Sequence, residues 1–359
     1  MCPFDGAKGS IMLYQKDNVH GGDIYQDQID LDFSVNINPL GTPEAVKKAV
    51  RDAAERIGCY PDPYCRKLVR AIAGYEQIPE HMVICGNGAA ELIYAFCRGA
   101  APERAVLTAP TFAEYELALQ ESGCEIFRYC LSRELGFQLD EGFLSFLELK
   151  HPDVLFLCNP NNPDGREIGE KLLLQILDLS RREGIRVLLD ECFADLSDHR
   201  ISAKGSLAEY PNVFILKAFT KNYAMAGIRL GYGLCSDPLF LKKISDETQP
   251  WNISLPAQEA GVAALQDRQI IEEARAVILQ QRGWLSMKLQ ELGLRVYPSE
   301  ANYILVQGPE GLERELRRRK IAIRDCANYP GLEAGWYRIA VKQEDENQRL
   351  IEAMREAGL

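Results

Sequence analysis

Residues 153–191 read DVLFLCNPNNPDGREIGEKLLLQILDLSRREGIRVLLDE. Asp153 to Cys158 and Arg186 to Leu189 are brief apolar runs, each short enough for a buried strand, and Leu172 to Glu183 between them repeats its apolar residues at helical spacing. Strand, helix and strand in that order predict a crossover connection and a mostly parallel sheet covered on both faces. In such sheets ligands sit at the carboxyl ends of strands. The first run empties into Asn159 to Gly165, with three asparagines and two prolines in seven residues, and the second into Asp190-Glu191. A bare turn accounts for the first and a helix cap for the second, but carboxylates finishing a buried strand are costly to desolvate unless a donor or cation meets them.

The same alternation extends outward. Met82 to Cys85, Arg104 to Thr108, Val213 to Leu216 and Leu230 to Leu234 are further short apolar runs. They predict one large unit over residues 43–248. After Pro250 the pattern changes to a long helical stretch from about Pro256 to Leu292, strand-like Ala301 to Val306, a helix at Glu310 to Arg319, strand-like Ile321 to Arg324 and Trp336 to Val341, and a terminal helix from Asp345. This predicts a smaller α+β unit over 249–359. Residues 1–42 read as an arm packing with it, ending where Thr42 caps a helix whose first position is Pro43.

The chain has 359 residues, which at roughly 150 per domain favours two domains over one core. With 47% hydrophobic and 26% charged residues it is an ordinary globular sequence. Its net charge of −11 argues against nucleic acid and anionic membrane as partners, while leaving room for a small anion held by a few local cations. Eleven cysteines without a C-x-x-C pair and four dispersed histidines suggest neither a disulfide framework nor a metal centre. No apolar run has signal-peptide or membrane-span character, so a cytoplasmic protein is expected.

Two more strand ends carry suggestive residues. Cys85 to Glu91, reading CGNGAAE, is a glycine turn opening a helix whose free N–H groups suit a phosphate, although many such turns merely connect a strand to a helix. Thr220 to Tyr232, reading TKNYAMAGIRLGY, places Lys221 after an apolar run and Arg229 eight residues later. A lone lysine is usually solvated, yet one kept neutral by apolar surroundings and a neighbouring cation can form a Schiff base. Phosphate turn, strand-end carboxylate, lysine and arginine together are what a pyridoxal phosphate enzyme needs.

On these motifs the chain resembles the fold-type I pyridoxal phosphate enzymes of the class I/II aminotransferase family, in the histidinol-phosphate aminotransferase branch. The likeness spans nearly the whole chain and rests on the NPNNPxG loop, the Asp-Glu-x-aromatic strand end and the Lys-x7-Arg-x-Gly segment. It implies a large domain built on a seven-stranded, mostly parallel sheet and a small α+β domain. Lys217-Ala218-Phe219 imitates the family's lysine segment, but Arg229 lies twelve residues beyond Lys217 and the family spacing is eight, so Lys221 is the expected Schiff-base lysine. The resemblance further implies Asp190 at the pyridinium nitrogen, Asn162 at the ring oxygen and Phe112 stacked on the ring. Gly88, Ala89, Thr220 and Arg229 would hold the phosphate, with Tyr60 from a partner subunit, hence a homodimer with shared active sites.

Within that branch the sequence is most similar to decarboxylases acting on L-threonine O-3-phosphate in cobalamin assembly. His20-Gly21-Gly22, Asp32 to Gly41, Ile323 to Leu332, Tyr337-Arg338 and Phe193, where the aminotransferases usually carry tyrosine, bear that likeness. It implies Arg338 on the substrate carboxylate and Arg324, His20, Gly21 and Asn36 around the substrate phosphate, with Asn162 also near the substrate and no metal. Arg324 has a plainer reading as part of a basic face with Arg317 to Lys320. Asp23 and Asp164 depart from the family's usual Asn and Thr, bringing negative charge near the substrate and cofactor. L-serine O-phosphate is an alternative substrate, transamination of histidinol phosphate an alternative reaction, and a non-catalytic binding module an alternative class.

Overall fold

The computed structural model describes residues 20–25 and 27–359; the first nineteen residues of the expected arm lie outside them. The strand runs of the sequence assemble into one seven-stranded sheet. Its order is Val83–Gly86, Gly231–Leu234, Val213–Ala218, Arg186–Asp190, Val154–Cys158, Arg104–Ala109 and Glu125–Cys130. Every pairing is parallel except the two made by Gly231–Leu234. Chain order reverses between Arg104–Ala109 and Val154–Cys158, so the crevice outside their carboxyl ends is where such a sheet binds ligands.

Alternation along each strand feeds two cores. Leu155, Leu157, Val187, Leu189, Val213 and Ile215 join one with Leu173, Ile176 and Leu177 of helix Glu170–Glu183. Phe156, Leu188, Phe214 and Leu216 face the other, with Leu92 and Phe96 of helix Gly88–Ala100 and with Tyr115. Burial on both faces is why these strands read as continuous apolar runs. Gly233 is required where it stands, because a Cβ there would lie 2.0 Å from the Phe214 ring.

A four-stranded antiparallel sheet, ordered Arg324–Asp325, Trp336–Ala340, Tyr303–Gln307 and Arg295–Val296, forms the second layer system. Leu31–Asp32 pairs in parallel with Ile321–Ala322, and Leu31 and Phe33 share a core with Leu285, Ile304, Ile339 and Leu350.

The structure corrects three expectations and adds one strand. The run from Pro256 to Leu292 is two helices, Leu255–Ala264 and Gln269–Glu291; Asp267 sits between them and its carboxylate accepts the Ile270 N–H at 3.2 Å. Ile321 to Arg324 divides into two short strands belonging to different sheets. Thr42 caps no helix: Pro43 holds the N-cap position of Glu44–Ala54, and the Thr42 hydroxyl donates instead to the Ala224 carbonyl at 2.7 Å. The edge strand Glu125–Cys130 went unpredicted because, largely exposed and carrying Glu125 and Arg128, it lacks the apolar run of its buried neighbours.

Candidate active site

Strand ends bring the candidate residues together. Phe112 follows Arg104–Ala109, Asn162 follows Val154–Cys158, Asp190 ends Arg186–Asp190, and Lys221 lies on the single turn Phe219–Asn222 after Val213–Ala218. These are adjacent strands of the sheet, so residues far apart in sequence meet at one crevice.

Lys221 is half-buried, its Nζ 5.3 Å from the centre of the Phe193 ring. Burial, with the Arg338 guanidinium adding to it, pulls its pKa down to about 8 against the opposing pull of Cys192 and Asp190. A sizeable neutral fraction near neutrality is what a nucleophilic amine needs. Lys217 differs in every respect. It lies within the strand, on the face of Ile215, and its Nζ contacts Asp195 at 3.0 Å and Glu76 at 3.4 Å. Those carboxylates raise its pKa despite burial, so it stays charged.

Asp190 is buried and accepts from the Tyr115 hydroxyl at 2.6 Å and the Cys192 N–H at 2.9 Å. Burial raises its pKa against the hydrogen bonds of Cys192 and Tyr115 and the weaker pull of Lys221. A carboxylate so held, with only neutral donors, suits a protonated ring nitrogen. Tyr115 was missed by the sequence reading; its one available signal was a place three residues beyond Phe112 on the same strand-to-helix connection.

Arg229, in the left-handed conformation at φ 59°, swings its guanidinium over the glycine turn: a Cβ on Gly88 would come within 2.5 Å of Nη2. Gly231 likewise lets its strand approach the Ala89 N–H, which a Cβ would meet at 2.7 Å. The amino end of helix Gly88–Ala100 and Arg229 thus converge where an anion fits. Thr220 lies beside Lys221 on its turn. Phe112 caps helix Ala113–Glu121 with its ring edge-on to Tyr115.

The opposite wall comes from the second sheet. Arg338 is buried and donates to Asn162 Oδ1 at 2.5 Å and the Ser34 carbonyl at 2.6 Å, while its Nε has no partner among the described residues. Arg324, also buried, donates to Asn328 at 2.8 Å and to the Asp325 carbonyl, away from the exposed basic helix face. Asn36 is completely buried and neither end of its amide has a hydrogen-bond partner among the described residues. His20 contacts Glu114 at 2.6 Å, and Gly21 packs so tightly that a Cβ would lie 2.3 Å from the Ser34 carbonyl. Ser34, overlooked in the sequence, ties this arm down: its hydroxyl accepts the Gly22 N–H and donates to Asp32.

Asp164 is the loop's internal brace. Its carboxylate takes the Arg166 N–H at 2.9 Å and the Asn161 amide, and burial raises its pKa to about 7. Tyr60 is 82% exposed and packs against Trp251 with ring centres 5.1 Å apart and planes tilted by 42°. A cavity of about 710 Å³ lined by Thr111, Phe112, Arg128 and Asn328 adjoins the crevice, but Lys221, Asp190 and Arg338 do not line it.

This fold and crevice define a fold-type I α/β enzyme, with a buried acid, an activated lysine and an anion cradle at adjacent strand ends. Residues 28–354 match the family Aminotransferase class I and II, and the chain belongs to it. The threonine-phosphate decarboxylase of Salmonella typhimurium is 38% identical over 351 residues, covering 94% of this chain and 96% of its own. The histidinol-phosphate aminotransferase of Methanopyrus kandleri is 31% identical, covering 89% and 86%. The crystal structure of the histidinol-phosphate aminotransferase from Clostridium acetobutylicum superposes with a TM-score of 0.85 at 30% identity, over 91% of this chain and 98% of that one. The protein is a pyridoxal 5'-phosphate-dependent enzyme, and the acid, lysine and cradle fit that group.

Proposed function

We propose that this enzyme decarboxylates L-threonine O-3-phosphate to aminopropanol O-phosphate. The observation that carries the reading is the pair of buried guanidiniums, Arg324 and Arg338, opposed on one sheet face, whose hydrogen bonds among the described residues go to amide and carbonyl oxygens and to no carboxylate. A substrate bearing both a carboxylate and a phosphate answers that arrangement. The 38% identity with the Salmonella decarboxylase supports the same choice.

In this reading Arg338 receives the carboxylate through its fork, and Arg324, His20, Gly21 and Asn36 surround the phosphate. Asn36 brings an amide with both ends open for a ligand. Asn162, its carbonyl taken by Arg338, offers Nδ2 to the ring oxygen of the cofactor. Asp190 holds the ring nitrogen, Phe112 covers the ring, and Gly88, Ala89, Thr220 and Arg229 hold the cofactor phosphate. Pyridoxal phosphate, when bound, supplies an electron sink for the pair left on Cα as CO2 departs. Lys221, poised with its pKa near neutrality, delivers the proton that replaces the carboxylate at Cα. Phe193 under Lys221 provides no hydroxyl and keeps the amine in apolar surroundings.

The unit of function is a homodimer in which the partner's copy of Tyr60 completes the cofactor-phosphate site, in keeping with the exposure of Tyr60 and Trp251 in the single chain. The division into a large domain over 43–248, a small one over 249–359 and an arm packing with the latter accords with the pairing of Leu31–Asp32 and Ile321–Ala322. The proposal extends to a cytoplasmic enzyme of cobalamin assembly; no described helix is long and apolar enough to cross a membrane.

Incubating the purified enzyme with L-threonine O-3-phosphate, L-serine O-phosphate or histidinol phosphate, with and without 2-oxoglutarate, tests the reading. CO2 release that needs no 2-oxoglutarate is expected. Glutamate formation that depends on 2-oxoglutarate would overturn it in favour of transamination.

A further inference from the structure

Lys217 has so far appeared only as the wrong lysine, yet a fully buried ammonium inside a strand calls for a reason. Its exposure is 1%. Desolvating such a charge costs several kcal/mol, and an apolar side chain of similar volume is often neutral or better at such a place. The charge is nevertheless retained and fully engaged. Nζ reaches both oxygens of Asp195, at 3.0 and 3.2 Å, and Glu76 at 3.4 Å. Glu76 is itself held by Lys204 at 2.7 Å and by the Tyr232 hydroxyl at 2.6 Å.

The contacts lead out of the core towards the active site. Asp195 Oδ2 also accepts Asn222 Nδ2 at 2.6 Å, and Asn222 is the residue next to Lys221. The other side of that turn is gripped by Asn38, whose backbone N–H donates to the Lys221 carbonyl at 2.9 Å and whose Nδ2 donates to the Asn222 carbonyl at 2.8 Å. Asp195 stands on the short turn Ala194–Leu196 that directly follows Asp190 to Phe193. One carboxylate therefore ties the segment carrying Lys221 to the segment carrying Asp190, and Lys217 anchors that carboxylate.

We propose that Lys217 and Asp195, acting through Asn222, are positioning residues that set Lys221 against Asp190. The inference deepens the functional reading and rests on Lys221 being the reactive lysine. A single four-residue turn has too few internal hydrogen bonds to hold a lysine in one place, so its orientation depends on the tethers at residues 221 and 222.

The test compares wild type, Lys217→Met, Lys217→Arg and Asn222→Ala as holoenzymes. Three quantities are read: kcat and KM for L-threonine O-3-phosphate, the pH midpoint of the cofactor's visible absorbance change, and the melting temperature. Lys217→Met and Asn222→Ala are expected to lower kcat about tenfold or more with KM little changed, as misplacing a catalytic group does. They also move the absorbance midpoint away from that of wild type, upward for Lys217→Met because a cation is lost. Lys217→Arg restores both. If Lys217→Met fails to fold, Asn222→Ala decides, since it leaves every buried charge paired. Variants that keep wild-type kcat and midpoint, whatever their melting temperature, overturn the proposal. Wild-type enzyme that releases no CO2 refutes the functional reading instead, and the absorbance midpoint then judges the positioning alone.

Discussion

Arg324 and Arg338 are directly opposed partners in the antiparallel pairing of Arg324–Asp325 with Trp336–Ala340, so two arginines separated by fourteen positions project from the same face of one sheet. Neighbouring like charges are unfavourable, and in a buried setting more so. Arg324 donates to neutral oxygens of Asn328 and Asp325, and Arg338 to those of Asn162 and Ser34, with its Nε left without a partner among the described residues. A bound dianion would relieve both.

Replacing either arginine should therefore act on substrate binding. Arg338→Gln and Arg324→Gln are each expected to raise KM for L-threonine O-3-phosphate by about 30-fold or more, the scale of a lost charge-assisted hydrogen bond to a buried anion. Melting temperatures should hold or rise as the mutual repulsion is removed. Steady-state kinetics beside a thermal melt check this; unchanged KM with a lowered melting temperature would make the arginines structural.

Lys221→Ala should abolish turnover and leave the folded protein without borohydride-fixable cofactor, whereas Lys217→Arg retains both. In apoenzyme, modification of Lys221 by a carbonyl reagent should accelerate as pH rises through about 8, since the neutral amine is the reacting form and its pKa is lowered to that value. Peptide mapping after reduction identifies the lysine. Label on Lys217 in place of Lys221 would reverse the assignment.

Buried carboxylates should leave a signature in stability. Burial raises Asp164 and Glu191 each to about 7, well above the unfolded value near 4. The folded state then binds more protons at these two groups than the unfolded state between those limits, so their contribution to apoenzyme stability falls as pH rises from about 4 to about 7 and levels off above, by about 4 kcal/mol each. Asp164→Thr removes one of these groups, so its melting temperature should gain on wild type progressively over that range. Parallel curves for the two proteins would show that Asp164 does not titrate there.

The proposed sharing of active sites between subunits makes a complementation prediction. Tyr60→Ala and Lys221→Ala homodimers should both be impaired, the first through weakened cofactor binding. Unfolding and refolding them together in equal amounts should restore about a quarter of wild-type activity, because half the dimers are mixed and each mixed dimer has one intact site. Absence of recovery would place Tyr60 outside the partner's site.

Much of this was legible in the sequence. Six of the seven large-sheet strands announced themselves, because burial on both faces demands unbroken apolar runs. Residues ending those runs had to meet at one crevice, which is why Asp190 and Lys221 stood out without coordinates, whereas Asn162 and Phe112 took their roles from the family resemblance. The exposed strand Glu125–Cys130 carried no such signal, and Thr42 resembled a cap because capping chemistry is local while its partner, the Ala224 carbonyl, is 182 residues away. Tyr115 and Ser34 escaped for the same reason: a hydroxyl's role depends on what the fold brings to it.

By itself the sequence determined six strands of the sheet, the glycine turn and the acid at its strand end, all set by periodicity and spacing within single segments, and the family resemblance chose the lysine eight residues before its arginine. Only the tertiary structure decided that Arg324 stands opposite Arg338, that the arm at Leu31–Asp32 closes beside Ile321–Ala322, and that Lys217 braces the turn of Lys221 through Asp195. Those relationships depend on register and packing between distant segments, which no single segment encodes.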